Sequence, residues 1–202
     1  LSGNEQYSND YQIASIRFKS SIVSYFSGNN LDFIKNPLNW GDVNFRSAHV
    51  MLLKEFEDET KVLMLAHLPS SKGFGKSSTK TLVETDCRLG PPGGVIDKDE
   101  APWDAMTREY KEETGLDLPV KIELINTFIW KKNHIVFVVK TISRVVEGKV
   151  TNNDEIYSRK LFTIEELRKI IKDSEGPQVK GKFKMRNGAI KSTLAILDAL
   201  EL

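Results

Sequence analysis

The stretch GVIDKDEAPWDAMTREYKEETGL, residues 94–116, decides the fold and the chemistry that we expect of this 202-residue chain. Pro102 suits the first turn of a helix and Gly115 suits its end, so the sequence predicts a helix between them. One face of this helix carries an apolar stripe of Trp103, Met106 and Tyr110. The helix is therefore expected to pack on a hydrophobic core.

A second face of the predicted helix is acidic. Glu109, Glu112 and Glu113 are spaced i, i+3 and i+4, which puts their carboxylates side by side. Like charges at this spacing repel, and a divalent cation with oxygen ligands removes that cost, so the pattern favours Mg²⁺. Arg108 is placed to pair with one carboxylate. The turn 91–94 before the helix has two glycines, which let the backbone approach a metal or a phosphate.

The whole stretch resembles the signature of the Nudix hydrolases. The fixed positions of that signature are occupied here by Gly94, Glu100, Arg108, Glu109, Glu112, Glu113 and Gly115. Tyr110 is bulkier than the aliphatic residue usual at its position, a departure that affects packing rather than chemistry. The chain is therefore identified as similar to the Nudix superfamily, with no subfamily assigned.

The resemblance implies a set of site residues and a cofactor. The implied ligands of Mg²⁺ or Mn²⁺ are Glu109, Glu112, Glu113, the backbone carbonyl of Gly93 and, as an additional ligand, Glu100. Arg108 is similar to the orienting arginine of the family. The implied reaction is attack of a metal-activated water on phosphorus. The general base stays open between Glu109 and Glu155, which precedes a predicted strand.

The implied enzyme is a pyrophosphohydrolase that cleaves a nucleoside diphosphate linked to a further group, such as a nucleotide or nucleotide-sugar. No accessory motif of a known subfamily stands outside the signature, so the substrate stays open. A hydrolase of RNA 5′ caps or ends is the first alternative, and a non-catalytic nucleotide sensor is the second. Phe74 and Lys76 in the long loop 69–86, with Trp130, are the candidate substrate-binding residues.

The elements around the signature predict an α/β/α sandwich with a mixed central sheet. Strand pairs are expected at 48–67 and 120–141, a further strand at 155–162, and two C-terminal helices. A helix over 10–27 and a connector to residue 45 would form an N-terminal extension, 1–45, before the Nudix domain, 46–202. The segment 179–186 alternates basic and apolar residues, which predicts an extended strand with one basic face, either an RNA guide or a protected edge.

Net charge and cysteine content limit the kinds of partner and compartment that the sequence predicts. The net charge of +1 does not indicate that the chain as a whole binds nucleic acid or a membrane surface. Cys87 is the only cysteine, which fits a reducing compartment, cytoplasmic or nuclear. The three histidines lack metal-ligand spacing and are expected to be structural. A small-molecule nucleotide derivative is the expected partner, and the sequence says nothing of oligomeric state.

Overall fold

The computed structural model describes residues 45–69, 82–130, 133–151, 153–177 and 179–202, and the backbone of two strands in the N-terminal part. The helices are α1 (Pro102–Thr114), α2 (Ile164–Ser174) and α3 (Asn187–Ala199). The strands are β1 (Gln12–Phe18), β2 (Ser21–Ser27), β3 (Ser47–Glu55), β4 (Thr60–His67), β5 (Arg88–Gly90), β6 (Gly93–Val95), β7 (Ile122–Trp130), β8 (His134–Thr141), β9 (Gly148–Lys149), β10 (Ile156–Thr163) and β11 (Lys184–Met185).

The strands form one mixed sheet. Its order is β1-β2-β7-β8-β3-β4-β10-β9, with β6 paired to β3 and β5 paired to β4 and β11. Within it, β3 runs parallel to β8, whereas the β3–β4 and β7–β8 pairs are antiparallel. Both of these antiparallel pairs and β10 lie where the sequence predicts strands, so these predictions are confirmed.

Helices cover both faces of the sheet. The alternation along β3 divides the core, because Val50 and Leu52 pack with α1 whereas Met51 and Leu53 pack with α2 and α3. Successive side chains of a strand point to opposite faces, so two helical layers are needed to bury a strand that is apolar on both. The predicted α/β/α sandwich is confirmed. Within the described residues no helix is long and apolar enough to span a membrane.

Helix α1 begins and ends at the predicted residues. Pro102 occupies its first turn, and Gly115 caps it in the left-handed region at φ 69°. The apolar stripe is buried, and the Trp103 ring meets Phe137 edge to face with their centroids 5.1 Å apart. Tyr110 is buried with that stripe despite its size. Burying this stripe fixes the rotation of α1, so the acidic face of the helix turns away from the core.

The prediction of an N-terminal helix is wrong. Residues 12–18 and 21–27 form the antiparallel strands β1 and β2, and β2 pairs with β7 at the edge of the central sheet. The residues that suggested helical spacing are mostly β-branched or aromatic, which favour strands, and an available sheet edge decides between the two. The rest of the segment 1–45 lies almost wholly outside the described residues, and the domain boundary at 45/46 stays a prediction.

The segment 179–186 lacks the predicted continuous basic face. Only Lys184 and Met185 extend as a strand, parallel to β5. Lys184 is buried and its ammonium donates to the carbonyl of Gly176, while Lys182 lies 3.8 Å from the carboxylate of Asp173. Lys182 and Lys184 of this segment therefore make contacts within the protein. Arg186, at the end of the segment, lines two cavities that are described below.

Candidate active site

The acidic face of α1 lines a cavity of about 570 Å³. Five carboxylates surround it, those of Glu109, Glu112, Glu113, Asp154 and Glu155. The turn at Gly93 and Gly94 forms another wall, and Arg186 enters from the start of α3. We call this the carboxylate cavity. It brings together the three signature glutamates, Gly93 and Glu155, as the sequence led us to expect.

Glu113 is the buried member of the set. It is only 7% exposed, and its Oε2 accepts a hydrogen bond of 2.8 Å from the backbone N–H of Gly93. Burial raises the pKa of its carboxyl to about 8; the Gly93 hydrogen bond opposes that rise and the charge of Glu109 adds to it. The side chain that lies within ion-pair distance is His67, 3.9 Å away, whose own pKa burial lowers to about 3. A neutral imidazole cannot balance this carboxylate.

Glu109 lies against the glycine turn. A Cβ at position 94 would stand 2.5 Å from the Glu109 carboxylate, so only glycine allows this approach. Oε1 of Glu109 accepts a hydrogen bond of 3.0 Å from Arg108. Burial is the main cause of a raised pKa of the Glu109 carboxyl. Position 94 thus holds the backbone and a carboxylate in contact at the cavity wall.

Arg108 organises the acidic cluster. Its Nε and Nη2 form a fork on Glu100 at 2.9 and 3.0 Å, and its Nη1 contacts Glu109 and Glu112 at 3.0 and 3.1 Å. Its Nη2 also donates to the carbonyl of Val95, 3.0 Å away. These bonds hold the pKa of the guanidinium above its usual value and lower that of Glu100. Such bidentate pairing fixes rotamers as well as charge.

Glu100 lies outside the carboxylate cavity. One of its oxygens accepts the backbone N–H of Asp97 at 3.0 Å, and both accept from Arg108. These contacts make Glu100 an anchor for the arginine. Its role as an additional metal ligand stays a prediction.

The loop before β10 is tied to the end of α1. The Asn153 side chain donates to the backbone carbonyl of Glu112 at 2.9 Å, and its oxygen accepts the backbone N–H of Glu155 at 2.8 Å. Asn153 therefore fixes the position of the Glu155 backbone relative to the helix. No sequence pattern singled out Asn153, because a loop asparagine is ordinarily a turn former.

The donors of the carboxylate cavity suit a divalent cation. Glu113 is a buried carboxylate without a cationic partner among the described residues, and such a group is costly unless an ion compensates it. Hard oxygen donors match Mg²⁺ or Mn²⁺. In the described part of the chain, no three acidic, histidine or cysteine side chains converge as a finished metal site. Arg108 holds Glu109 and Glu112 in their present positions, and the Glu112 side chain is the more exposed of the two at 58%.

A second cavity of about 290 Å³ adjoins the first through Arg186. We call it the histidine cavity. Its lining includes Ser47, His49, Trp130 and His134, and none of its described lining residues is acidic. The Ser47 hydroxyl lies 2.7 Å from Nδ1 of His134 and 3.1 Å from Nε2 of His49. Neighbouring cavities thus differ sharply in charge.

A family model, the NUDIX domain, matches residues 45–184 of this chain. That range covers more than half of the 202 residues. The chain belongs to the Nudix family. The prediction of a Nudix pyrophosphohydrolase is therefore confirmed at the level of the enzyme class. The match contains all the signature glutamates, Arg108 and the loop with Glu155.

Several solved structures are similar to this Nudix chain. An Ap4A hydrolase of C. elegans, in a binary complex, is 16% identical, with 76% of this chain and 99% of that one covered and a TM-score of 0.45. The NUDIX domain of Shewanella oneidensis NrtR, complexed with ADP ribose, is 16% identical, with coverage of 78% and 87% and a TM-score of 0.45. The Bacillus subtilis pyrophosphohydrolase BsRppH is 16% identical, with coverage of 93% and 96% and a TM-score of 0.45. None of the curated proteins compared matches the chain.

The predicted substrate residues of the Nudix chain divide into two groups. Phe74 and Lys76 lie outside the described residues. Trp130 lines the histidine cavity, so it lies beside the carboxylate cavity without entering it. His49 and His134, expected to be structural, line the same cavity. Sequence spacing misses such residues because β3, β7 and β8 are brought together only by sheet pairing.

Proposed function

We propose that this Nudix pyrophosphohydrolase acts on a nucleoside diphosphate linked to a further group and depends on Mg²⁺ or Mn²⁺. The observation that carries the proposal is the pair of adjoining cavities, one with five carboxylates and one without acidic lining among the described residues. A nucleoside is neutral and a diphosphate is anionic. A substrate with both parts matches the two cavities, with the nucleoside in the histidine cavity and the diphosphate toward the carboxylates.

The residues that would hold the metal are Glu109, Glu112 and Glu113, with the backbone carbonyl of Gly93. When bound, such an ion supplies charge neutralisation for phosphate oxygens and lowers the pKa of a water. Two of these carboxylates are held in place by hydrogen bonds from the protein. The Gly93 N–H holds Glu113 and the Arg108 guanidinium holds Glu109, so their free oxygens face the cavity.

Glu155 is the general base in this proposal. It lines the carboxylate cavity from the loop before β10, and within the described residues its carboxylate makes no ion pair. Glu109 is already engaged by Arg108 and, in this proposal, by the metal, so its oxygens are occupied and cannot also accept the proton of the water. Glu155 would accept the proton of the water that attacks phosphorus, and the leaving phosphate would depart into the open part of the cavity.

The histidine cavity has the chemistry of a nucleoside site. Its volume of about 290 Å³ lies near the lower end of small-molecule sites, roughly 300–1,000 Å³. Trp130 and Val136 provide apolar walls, while the bonded group of Ser47, His49 and His134 provides polar ones. Burial lowers the pKa of His49 to about 4, so the His49 imidazole is uncharged at neutral pH. Uncharged donors and acceptors beside an aromatic ring suit a base or a ribose.

The alternatives receive less support. An RNA substrate would need a basic path, and the stripe 179–186 is interrupted where Lys184 is buried and Lys182 pairs with Asp173. A non-catalytic sensor has no need of the signature carboxylates, and this chain retains them all. Both alternatives are distinguishable from the proposed reaction by one substrate panel.

The panel should show metal-dependent cleavage of nucleoside diphosphate derivatives. We expect a nucleotide-sugar or a dinucleoside polyphosphate to yield a nucleoside monophosphate, with one oxygen from ¹⁸O-labelled water on a product phosphate. Removing divalent ions with EDTA should lower the rate by at least about 10²-fold, and Mg²⁺ or Mn²⁺ should restore it. Chromatography and mass spectrometry of the products measure both results.

Other outcomes of the panel separate the alternatives. Cleavage of capped RNA alone would favour an RNA-processing enzyme. Binding of a nucleotide with no product would favour a sensor. Hydrolysis that EDTA leaves unchanged would contradict the metal assignment, because the five carboxylates have no other evident function.

A substitution of Glu155 tests the assignment of the base. Glu155→Gln keeps the size of the side chain and removes its proton affinity, so kcat should fall by about 10²-fold with little change in KM. Steady-state kinetics of Glu155→Gln beside its neighbour variant Asp154→Asn give the comparison. A larger loss in Asp154→Asn than in Glu155→Gln would move the role to Asp154, and a loss in neither would favour Glu109.

A further inference from the structure

Arg186 stands at the junction of the two cavities. It follows β11, caps the N-terminus of α3 and lines both the carboxylate cavity and the histidine cavity. Its backbone N–H donates to the carbonyl of Leu89 on β5 at 2.8 Å. The backbone position of residue 186 is therefore set by strand pairing and does not depend on its side chain.

The charge of Arg186 is available to a ligand. Its Nη1 lies 3.3 Å from Nδ1 of His67, a side chain that has no negative charge with which to neutralise the arginine. Among the described residues no carboxylate lies within 4.0 Å of the Arg186 guanidinium, whereas Arg108 contacts four carboxylates. The protein pairs Arg108 directly with carboxylates, whereas among the described residues Arg186 interacts with the Glu113 carboxylate only at longer range.

The surroundings of Arg186 direct it across the junction. A Cβ at position 90 would lie 3.1 Å from Cδ of Arg186 and 3.1 Å from Nε2 of His67. Gly90 thus leaves the room in which the arginine stem crosses the end of β5. Hydrogen bonding to His67 uses Nη1 of the guanidinium, and the side chain, with its other donors, lines both cavities.

We propose that Arg186 binds the phosphate of the substrate that lies between the nucleoside and the carboxylate cavity, and thereby selects nucleotides over nucleosides. This inference rests on the proposed function. A guanidinium forms two parallel hydrogen bonds to a phosphate and is weakly hydrated, which suits a partly enclosed site. Five carboxylates nearby repel a polyanion, so a fixed positive charge at the junction offsets that repulsion at the point of entry.

The test measures binding as well as turnover. The variants are Arg186→Met, which keeps the length of the stem, and Arg186→Lys, which keeps the charge without the fork. Lys191→Met is the matched control, because it removes a positive charge from an exposed position of the same helix, away from both cavities. Calorimetry in EDTA gives the Kd of a nucleoside monophosphate and of the corresponding nucleoside.

We expect Arg186→Met to weaken monophosphate binding by at least about 10-fold and to leave nucleoside binding unchanged. Arg186→Lys should recover part of the loss, and Lys191→Met should bind as the wild type does. In turnover, Arg186→Met should raise KM for the best substrate of the panel.

Two results would overturn the inference while leaving the proposed function intact. One is turnover and monophosphate binding by Arg186→Met equal to those of the wild type. The other is an equal loss in Arg186→Met and Lys191→Met, which would indicate a general effect of charge. If the wild type cleaves no nucleoside diphosphate derivative, the proposed function fails first and the assignment of Arg186 fails with it.

Discussion

Replacing Glu113 by Gln is expected to lower kcat by roughly 10³-fold. Glu113 is the buried carboxylate of the site, and in the proposed function it binds the metal directly. A metal ion contributes several kcal/mol of transition-state stabilisation, and a loss of about 4 kcal/mol corresponds to about 10³-fold in rate. The measurement is single-turnover kinetics at saturating Mg²⁺, with the best substrate of the panel.

The same variant should remain folded, and its stability separates a site effect from a structural one. Gln retains an oxygen that can accept the Gly93 N–H, and it removes a buried acid whose ionisation burial and the charge of Glu109 oppose. In EDTA, Glu113→Gln should therefore unfold at a temperature at or above that of the wild type. Asp104→Asn, at an exposed position in the first turn of the same helix, is the control and should leave kcat unchanged. Wild-type activity in Glu113→Gln would show that Glu113 is not a metal ligand that the reaction needs.

Replacing Gly93 by Ala should destabilise the fold more than any other single change considered. Gly93 has φ 135°, and a Cβ there would stand 2.3 Å from the carbonyl oxygen of Ala48 and 2.5 Å from Cα of His49. These are backbone atoms of β3, a strand paired on both sides, so they cannot move aside cheaply. We expect a loss of about 4 kcal/mol in the free energy of unfolding, equivalent to a fall in Tm of roughly 10 °C.

Gly115 provides the matched control for this effect. It also has a positive φ, 69°, but a Cβ added there would meet nothing within 4 Å. Gly115→Ala should therefore cost about 1 kcal/mol, the price of a left-handed alanine alone. Urea unfolding of the two variants and the wild type gives the comparison. Equal losses would show that backbone conformation, rather than the close approach to β3, requires glycine at position 93.

The sequence predicted the local parts of this structure well. Helix α1 starts at Pro102 and ends before Gly115, because these signals act within one turn of helix. The glutamate spacing placed three carboxylates on one face for the same reason. Hairpin β3–β4 followed from two apolar stretches joined by an acidic turn.

The incorrect predictions share a physical cause, because each of the structures concerned depends on contacts between residues distant in sequence. The segment 12–27 is a hairpin because β7 offers it an edge, which no local pattern encodes. Lys184 became buried because β11 pairs with β5. Arg186 reached the site because α3 starts at the junction of two cavities, although residue 186 is distant in sequence from the signature. Functional residues concentrated in one segment can be predicted from the sequence, whereas a site assembled from several strands cannot.

The pairing of β6 with β3 has a consequence for how the walls of the carboxylate cavity are held. Gly93 and Gly94 belong to the hydrogen-bonded ladder of β3, the strand whose side chains fill both hydrophobic cores. Opening the glycine turn therefore breaks hydrogen bonds to a strand of the core. The amide hydrogens of Gly93 and Gly94 should accordingly exchange slowly. The loop with Glu155 is bonded through Asn153 to the end of α1, so the two walls of the carboxylate cavity are both held by the fold.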